Sequence, residues 1–259
     1  MNQLMDLYKQ ARITTEVYPD YCKWRKIDFY MSQLEKLDKM DFTFGIITDG
    51  RQDERLNIIV DSIENENIHN YEILIVGNST IERKNTTIIP FNENQIPMWI
   101  TRKKNIITHQ AKYENVVYLH DYVYLLPGWY EGWLKYGDDY KACMNVIVNA
   151  DNTRYRDWCL WKNPYTDKHI IPYYIDNLSK YMYFSGAYWV AKKYIMEKYP
   201  LDEKRTWGGS EDIIWSMQYR KENDFSMNPF SSVKLLKQKN KVFEELTDIE
   251  EIKKIINIK

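Results

Sequence analysis

Two stretches of this 259-residue chain place acidic side chains where they cost energy unless something uses them. The first is "VYLHDYV" at 117–123, an apolar run that stops on His120, Asp121 and Tyr122. A carboxylate at the end of a hydrophobic strand loses hydration and needs a partner or a ligand to offset the loss. The second is "RTWGGSEDIIW" at 205–215. Here Gly208 and Gly209 let the main chain turn tightly or approach a ligand, Ser210 can cap a helix, and Glu211 and Asp212 fall in its first turn. Acidic residues in a first turn also complement the helix macrodipole, so SED before an apolar run is by itself an ordinary helix start. Trp207 adds to it: a bulky ring beside exposed main chain and two carboxylates suits a polyhydroxylated ligand.

These residues need a frame. "FTFGIIT" at 42–48 is a β-rich run that ends in the polar turn "DGRQD". "ERLNIIVDSIEN" at 54–65 then puts Leu56, Ile59, Val60 and Ile63 on one helical face. "YEILIVG" at 71–77 and "TTIIPF" at 86–91 are further strands, continuous in apolar residues as buried parallel strands are. A helix over about 98–112 carries Arg102, Lys103, Lys104 and Asn105 and leads into "NVVYL" at 115–119, the strand that delivers Asp121. This alternation predicts an α/β fold: one domain with a mostly parallel central sheet flanked by helices. Ligands bind beyond the carboxyl ends of such strands, so residues 48–51, 77–79 and 120–122 should converge on one crevice. Later, "YMYFSGAYWVAKKYIMEKYP" at 181–200 predicts a strand interrupted at Ser185 and Gly186, then a helix.

Composition narrows the function. With 44% hydrophobic and 28% charged residues the chain can bury a sizeable core. Its longest apolar runs are about half a membrane span, and its first residues lack the compact apolar segment of a signal peptide. The expected location is the cytoplasm, with peripheral attachment to a membrane compatible. Cys22, Cys143 and Cys159 are odd in number, widely spaced and without a CxxC pair, which argues against a disulfide framework or a zinc site. A formal net charge of −1 gives no polyanion signal, so nucleic acid is not an expected partner. Tyrosine occurs 22 times and tryptophan 9 times, some in polar surroundings such as "RYRDWCLWKNPY" at 154–165. Flat aromatic faces stack on sugar rings, although filling a core is the ordinary role for any single one.

The order "FGIITDGR", "YEILIVGNS", "TRKKNIITHQAKYENVVYLHDYV", "FSGAYWVAKK" and "WGGSEDIIW" resembles the GT-A-fold glycosyltransferases, family 2 and its relatives, over about residues 42–220. "WGGSED" is similar to the acceptor-side motif of the β-1,4-galactosyltransferases, with Ser210 as an extra residue. The resemblance implies a GT-A domain at 42–240, split into a nucleotide-sugar half (42–123) and an acceptor half (124–240). A helical extension (1–41) precedes it and a helical tail (241–259) follows. It implies transfer of a sugar from a nucleotide-sugar donor, a UDP-sugar ahead of a GDP-sugar, to the hydroxyl of a glycan, glycolipid or glycoprotein acceptor, with inversion. Asp212 is then the base and Glu211 orients the acceptor hydroxyl. Thr48, Asp49, Arg51, Asn78, Arg102, Asn105 and Asp121 bind the donor. Trp207, Gly208 and Gly209 bind the acceptor, with Trp158 in the aromatic 149–180 segment. Such enzymes serve polysaccharide biosynthesis and related glycosylation.

The metal is where the chain departs from that family. On the usual "LDDDI" pattern, Tyr122 stands where a carboxylate normally meets a divalent ion, and Asp121 falls at the ribose position. Magnesium and manganese take hard oxygen ligands, and a neutral phenol is a poor one. All four histidines precede Asp212, so none supplies a downstream ligand. Two readings stay open: a weak manganese or magnesium site using Asp121 alone, or a metal-independent mechanism in which Lys234, Lys237 or Lys239 of "SSVKLLKQKNK" neutralises the departing diphosphate. A non-catalytic nucleotide- or carbohydrate-binding protein on the same fold is the competing class. A nucleotidyltransferase is disfavoured, because no glycine-rich, lysine-containing phosphate loop follows the first strand.

Overall fold

The computed structural model describes residues 37–160, 169–173, 175, 178–239, 244–246 and 248–256. The expected N-terminal extension before residue 37, Cys22 and positions 161–168 of the aromatic segment lie outside the described residues.

The first half is a run of parallel strands and covering helices. β1 (Asp41–Ile47) is followed by α1 (Asp53–Glu64), β2 (Asn70–Val76), β3 (Thr86–Ile89), α2 (Ile100–Gln110) and β4 (Asn115–His120). α1 buries Leu56, Ile59, Val60 and Ile63, the face that the apolar spacing predicts. β1 lies between β2 and β4, parallel to both, with Ile47 opposite Val76 on one side and His120 on the other. One residue further on, Thr48, Gly77 and Asp121 therefore leave the sheet side by side at its carboxyl edge. Helix α2 presses closely on β1, since a Cβ on Gly45 would lie 2.2 Å from Cγ2 of Ile107. That contact brings the lysines of α2 against the strand ends.

The second half adds β5 (Val123–Leu125), α3 (Trp129–Tyr136), β6 (Ala142–Val148), β7 (Cys159–Leu160), β8 (His169–Ile170), β9 (Met182–Tyr183), β10 (Tyr188–Lys192) and α4 (Lys193–Lys198). It ends with α5 (Glu211–Tyr219), β11 (Ser226–Leu235), β12 (Glu244–Glu245) and α6 (Ile249–Ile256). The main sheet runs β3-β2-β1-β4-β10-β6-β11-β5, and β12-β8-β7-β9 form a small second sheet. β10 is antiparallel to β4 and β6, so the sheet is parallel on the β3-to-β4 side and mixed beyond. The aromatics mostly serve the core: Trp129, Trp133, Trp189 and Tyr188 are fully buried, and Trp215 stacks on Tyr219 with ring centroids 5.0 Å apart. No helix among the described residues is long and apolar enough to cross a membrane.

Candidate active site

The carboxyl edge of the parallel strands forms a polar shelf. The Thr48 hydroxyl donates to Oδ2 of Asp121 at 2.8 Å and accepts from the Gly50 N–H at 3.2 Å. Lys103, buried on α2, holds the Thr48 carbonyl at 2.6 Å and pairs with Glu93. Burial pushes the Asp121 carboxyl above its ordinary value, while the Thr48 hydroxyl pulls it back. Asp49 and Arg51 form an exposed ion pair of 3.0 Å just beyond, and the Asn78 main chain packs against Gly50. Five of the expected donor-binding residues, Thr48, Asp49, Arg51, Asn78 and Asp121, thus share one edge.

The acidic pair faces this shelf from the start of α5. Asp212 accepts the Gly186 N–H at Oδ2 (2.8 Å) and its neighbour Ile213 N–H at Oδ1 (2.9 Å). Gly186 lies in the break between β9 and β10, and any side chain there would collide with the pair: a Cβ would come within 2.7 Å of Glu211 Oε1 and 3.1 Å of Asp212 Oδ2. Ser210 does not cap the helix as expected. It adopts the left-handed conformation (φ 57°, ψ 39°) and makes no side-chain capping bond, a strain of about 1–2 kcal/mol for a residue with a Cβ. The loop before it is tied to α2 and to the turn that precedes α2: the Trp207 N–H donates to the Met98 carbonyl and Thr101 Oγ1 to the Arg205 carbonyl.

A cavity of about 250 Å³ lies between the end of β4 and the acidic pair, with Thr48, Asp49, Arg51, Asn78 and Asp121 outside its lining. Its walls include His120 and Tyr122 from the strand end, Trp207, Gly208, Glu211 and Asp212 from the α5 side, and Lys239. Trp207 is 57% exposed at its rim, free to stack on a ligand. Tyr155, Arg156 and Tyr183 close the wall from the aromatic segment and β9. The Nε2 atom of His120 is buried with no hydrogen-bond partner among the described residues, and burial holds the imidazole well below its ordinary pKa, hence neutral.

Tyr122 is gripped by cations. Lys237 Nζ stands 3.9 Å from its ring centroid, and Lys239 Nζ lies 4.6 Å from the ring and donates to its hydroxyl at 3.2 Å. Burial, with Lys237 and Arg156 nearby, pushes the Lys239 ammonium down to about 8. Such a donor set does not fit a divalent ion: one carboxylate, Asp121, stands next to a phenol that burial keeps protonated, with two ammonium groups over it. Among the described residues no three His, Cys, Asp or Glu side chains gather as ligands. The arrangement fits an anion better.

Several expected site residues lie elsewhere. Trp158 is 1% exposed and donates through Nε1 to the Ile175 carbonyl, so it is a core residue with no face left for a sugar. Arg102 pairs with Glu203 at 3.0 Å, and Asn105 is buried against the Leu201 main chain; both brace the α4–α5 loop against α2. Lys234 donates to Asn152 and Gly209 accepts from Arg205, so neither lines the cavity. In the other direction, the charged α2 residues that point inward are Lys103 and Lys104, the neighbours of those expected. A helical wheel centred on buried Ile100 and Ile107 would have put Lys103 and Lys104 on that side.

No protein-family model matches the chain, and no curated protein matches it. Solved structures do. The crystal structure of GalNAc-T7 with UDP, GalNAc and Mn2+ superposes with a TM-score of 0.60 over 80% of this chain and 45% of that one, at 12% identity. The crystal structure of S. aureus TarS 1-349 gives 0.52 over 74% of this chain and 60% of that one, at 10% identity. The chain thus spans about half the length of these neighbours. Both are GT-A glycosyltransferases, and the α/β architecture with a large mixed sheet flanked by helices is the GT-A fold.

Proposed function

We propose that the protein is a glycosyltransferase that moves a sugar from a UDP-sugar onto a glycan hydroxyl with inversion. The observation that carries this reading is a cavity whose lining brings His120 and Tyr122, the chain neighbours of Asp121, together with Glu211, Asp212 and Trp207. Thr48, Asp49, Asn78 and Asp121 bind the nucleoside. Lys237 and Lys239, above Tyr122, face the diphosphate. The acceptor stacks on Trp207, and Glu211 holds its hydroxyl. As that oxygen bonds to the sugar's anomeric carbon, its proton passes to Asp212 and the bond to the diphosphate oxygen breaks. The leaving charge is taken by the lysines. The UDP and GalNAc bound in GalNAc-T7 support the choice of donor class.

The test is a panel of nucleotide sugars incubated with the protein, following nucleotide release and thermal shift together, with EDTA or added manganese. Turnover from one UDP-sugar that survives EDTA is the expected result. Turnover abolished by chelation would replace the lysine clamp with an Asp121-held ion. Ligand-induced stabilisation with no turnover from any donor would leave a binding module instead of an enzyme.

A further inference from the structure

Beneath the acidic pair lies a buried cation, Lys104, on the inward face of α2. Lys104, on α2, is 1% exposed. Its Nζ donates to the Gly186 carbonyl at 2.8 Å, stands 3.7 Å from Glu211 Oε1 and lies 4.4 Å from the centroid of the Trp189 ring. Gly186 is therefore held at both ends. Its carbonyl binds Lys104, and its N–H binds Asp212. An ammonium so deeply buried is stable only with a counter-charge, and Glu211, itself 8% exposed, is the nearest one.

We infer that Lys104 is the positioning residue of the acidic pair: it neutralises Glu211 from below and fixes the Gly186 peptide that aims Asp212 at the cavity. The geometry stands on its own, while the consequence for turnover rests on the proposed glycosyl transfer. Burial pushes Lys104 down, and Glu211 and Asp212 pull it back up. Burial likewise pushes Glu211 up, and Lys104 opposes that. Burial is the larger effect on both groups, shifting Lys104 down and Glu211 up, and each ion offsets part of that cost for the other. The remaining groups that face the pair are His120 on β4, Tyr122, Tyr155, Arg156, Tyr183 on β9, and Lys239 after β11. His120 is neutral, and Arg156 and Lys239 lie on the cavity side, so neither stands in the buried position of Lys104.

The experiment follows the Glu211 carboxyl carbon by NMR titration, assigned with Glu211→Gln, in the wild-type protein and in Lys104→Met and Lys104→Arg. In Lys104→Met the Glu211 midpoint should rise by about one pH unit or more, a tenfold change in proton affinity. The Arg variant keeps the charge and should keep the midpoint. In the transfer assay, Lys104→Met should lower kcat at least tenfold, move the acid limb of the pH profile upward and leave donor KM within about twofold. Lys104→Arg should recover part of kcat. A Glu211 midpoint that stays put in folded Lys104→Met overturns the inference. If Lys104→Met does not fold, the Lys104 midpoint is compared between wild type and Glu211→Gln, where it should fall; no change there overturns the inference as well. If no nucleotide sugar is turned over, the glycosyltransferase reading fails, while the NMR result still decides the role of Lys104.

Discussion

Donor binding should lose strength as Lys239 loses its proton. The group titrates at about 8, because burial and the neighbouring Lys237 and Arg156 disfavour its charge. It is therefore charged below that pH and increasingly neutral above it. Two unit charges 4 Å apart interact by about 4 kcal/mol at an effective dielectric of 20. Lys239 is only partly buried, and solvent on its open side cuts this to about 1–1.5 kcal/mol, close to tenfold in Kd. The terminal phosphate of UDP is largely ionised above about pH 7, by analogy with phosphate monoesters, and its uracil N3–H ionises above about pH 9, so titration between the two reads the protein. Calorimetric titration with UDP in EDTA should therefore show Kd rising about three- to sixfold between pH 7 and 9. Lys239→Arg stays charged and should flatten the curve at the tight end. Lys239→Met should flatten it at the weak end. A wild-type Kd that does not change over this range, or a Met variant that binds UDP as tightly as wild type at pH 7, would refute the lysine clamp.

Other substitutions separate catalysis from support. Asp212→Asn should reduce kcat by about 10²–10⁴-fold, the usual worth of a general base, with UDP affinity within a few fold by calorimetry. It should also lower Tm, because Asp212 accepts two main-chain N–H bonds and an amide can accept only one of them on its single oxygen. Trp207→Ala should raise acceptor KM about three- to tenfold, the worth of one stacked ring. Since Trp207 is 57% exposed, its melting curve should hardly move. Trp158→Ala should do the reverse: loss of a buried indole costs about 3–5 kcal/mol, read as a Tm lower by roughly 6–20 °C, with acceptor KM unchanged in the folded fraction.

Local pattern alone determined the strands of the first half (β1 to β4), the buried face of α1 and the strand-end placement of Thr48 and Asp121, because apolar periodicity and polar turn residues act over a few neighbours; it did not mark β6 or β11. Resemblance in motif order added the expected roles of the acidic pair at the start of α5 and made Tyr122 unusual. What the sequence left open depends on which side chains meet across the fold. Trp158 and Trp207 sit in similarly polar stretches, yet one is walled into the core and the other stands at the cavity rim; burial is set by the whole chain. Arg102 and Asn105 were drawn in by motif order, whereas packing of Gly45 against Ile107 turns Lys103 and Lys104 inward instead. Ser210 has the chemistry of a cap, but the loop tied to α2 forces it into a left-handed turn. The ends of β4 and β11, more than 100 residues apart in the chain, stack lysines on Tyr122. The residue types at the site were written in the sequence. Their pairing, and with it the charge around the diphosphate and beneath Glu211, was decided only by the tertiary structure, because electrostatic interaction depends on distance and burial rather than on order along the chain.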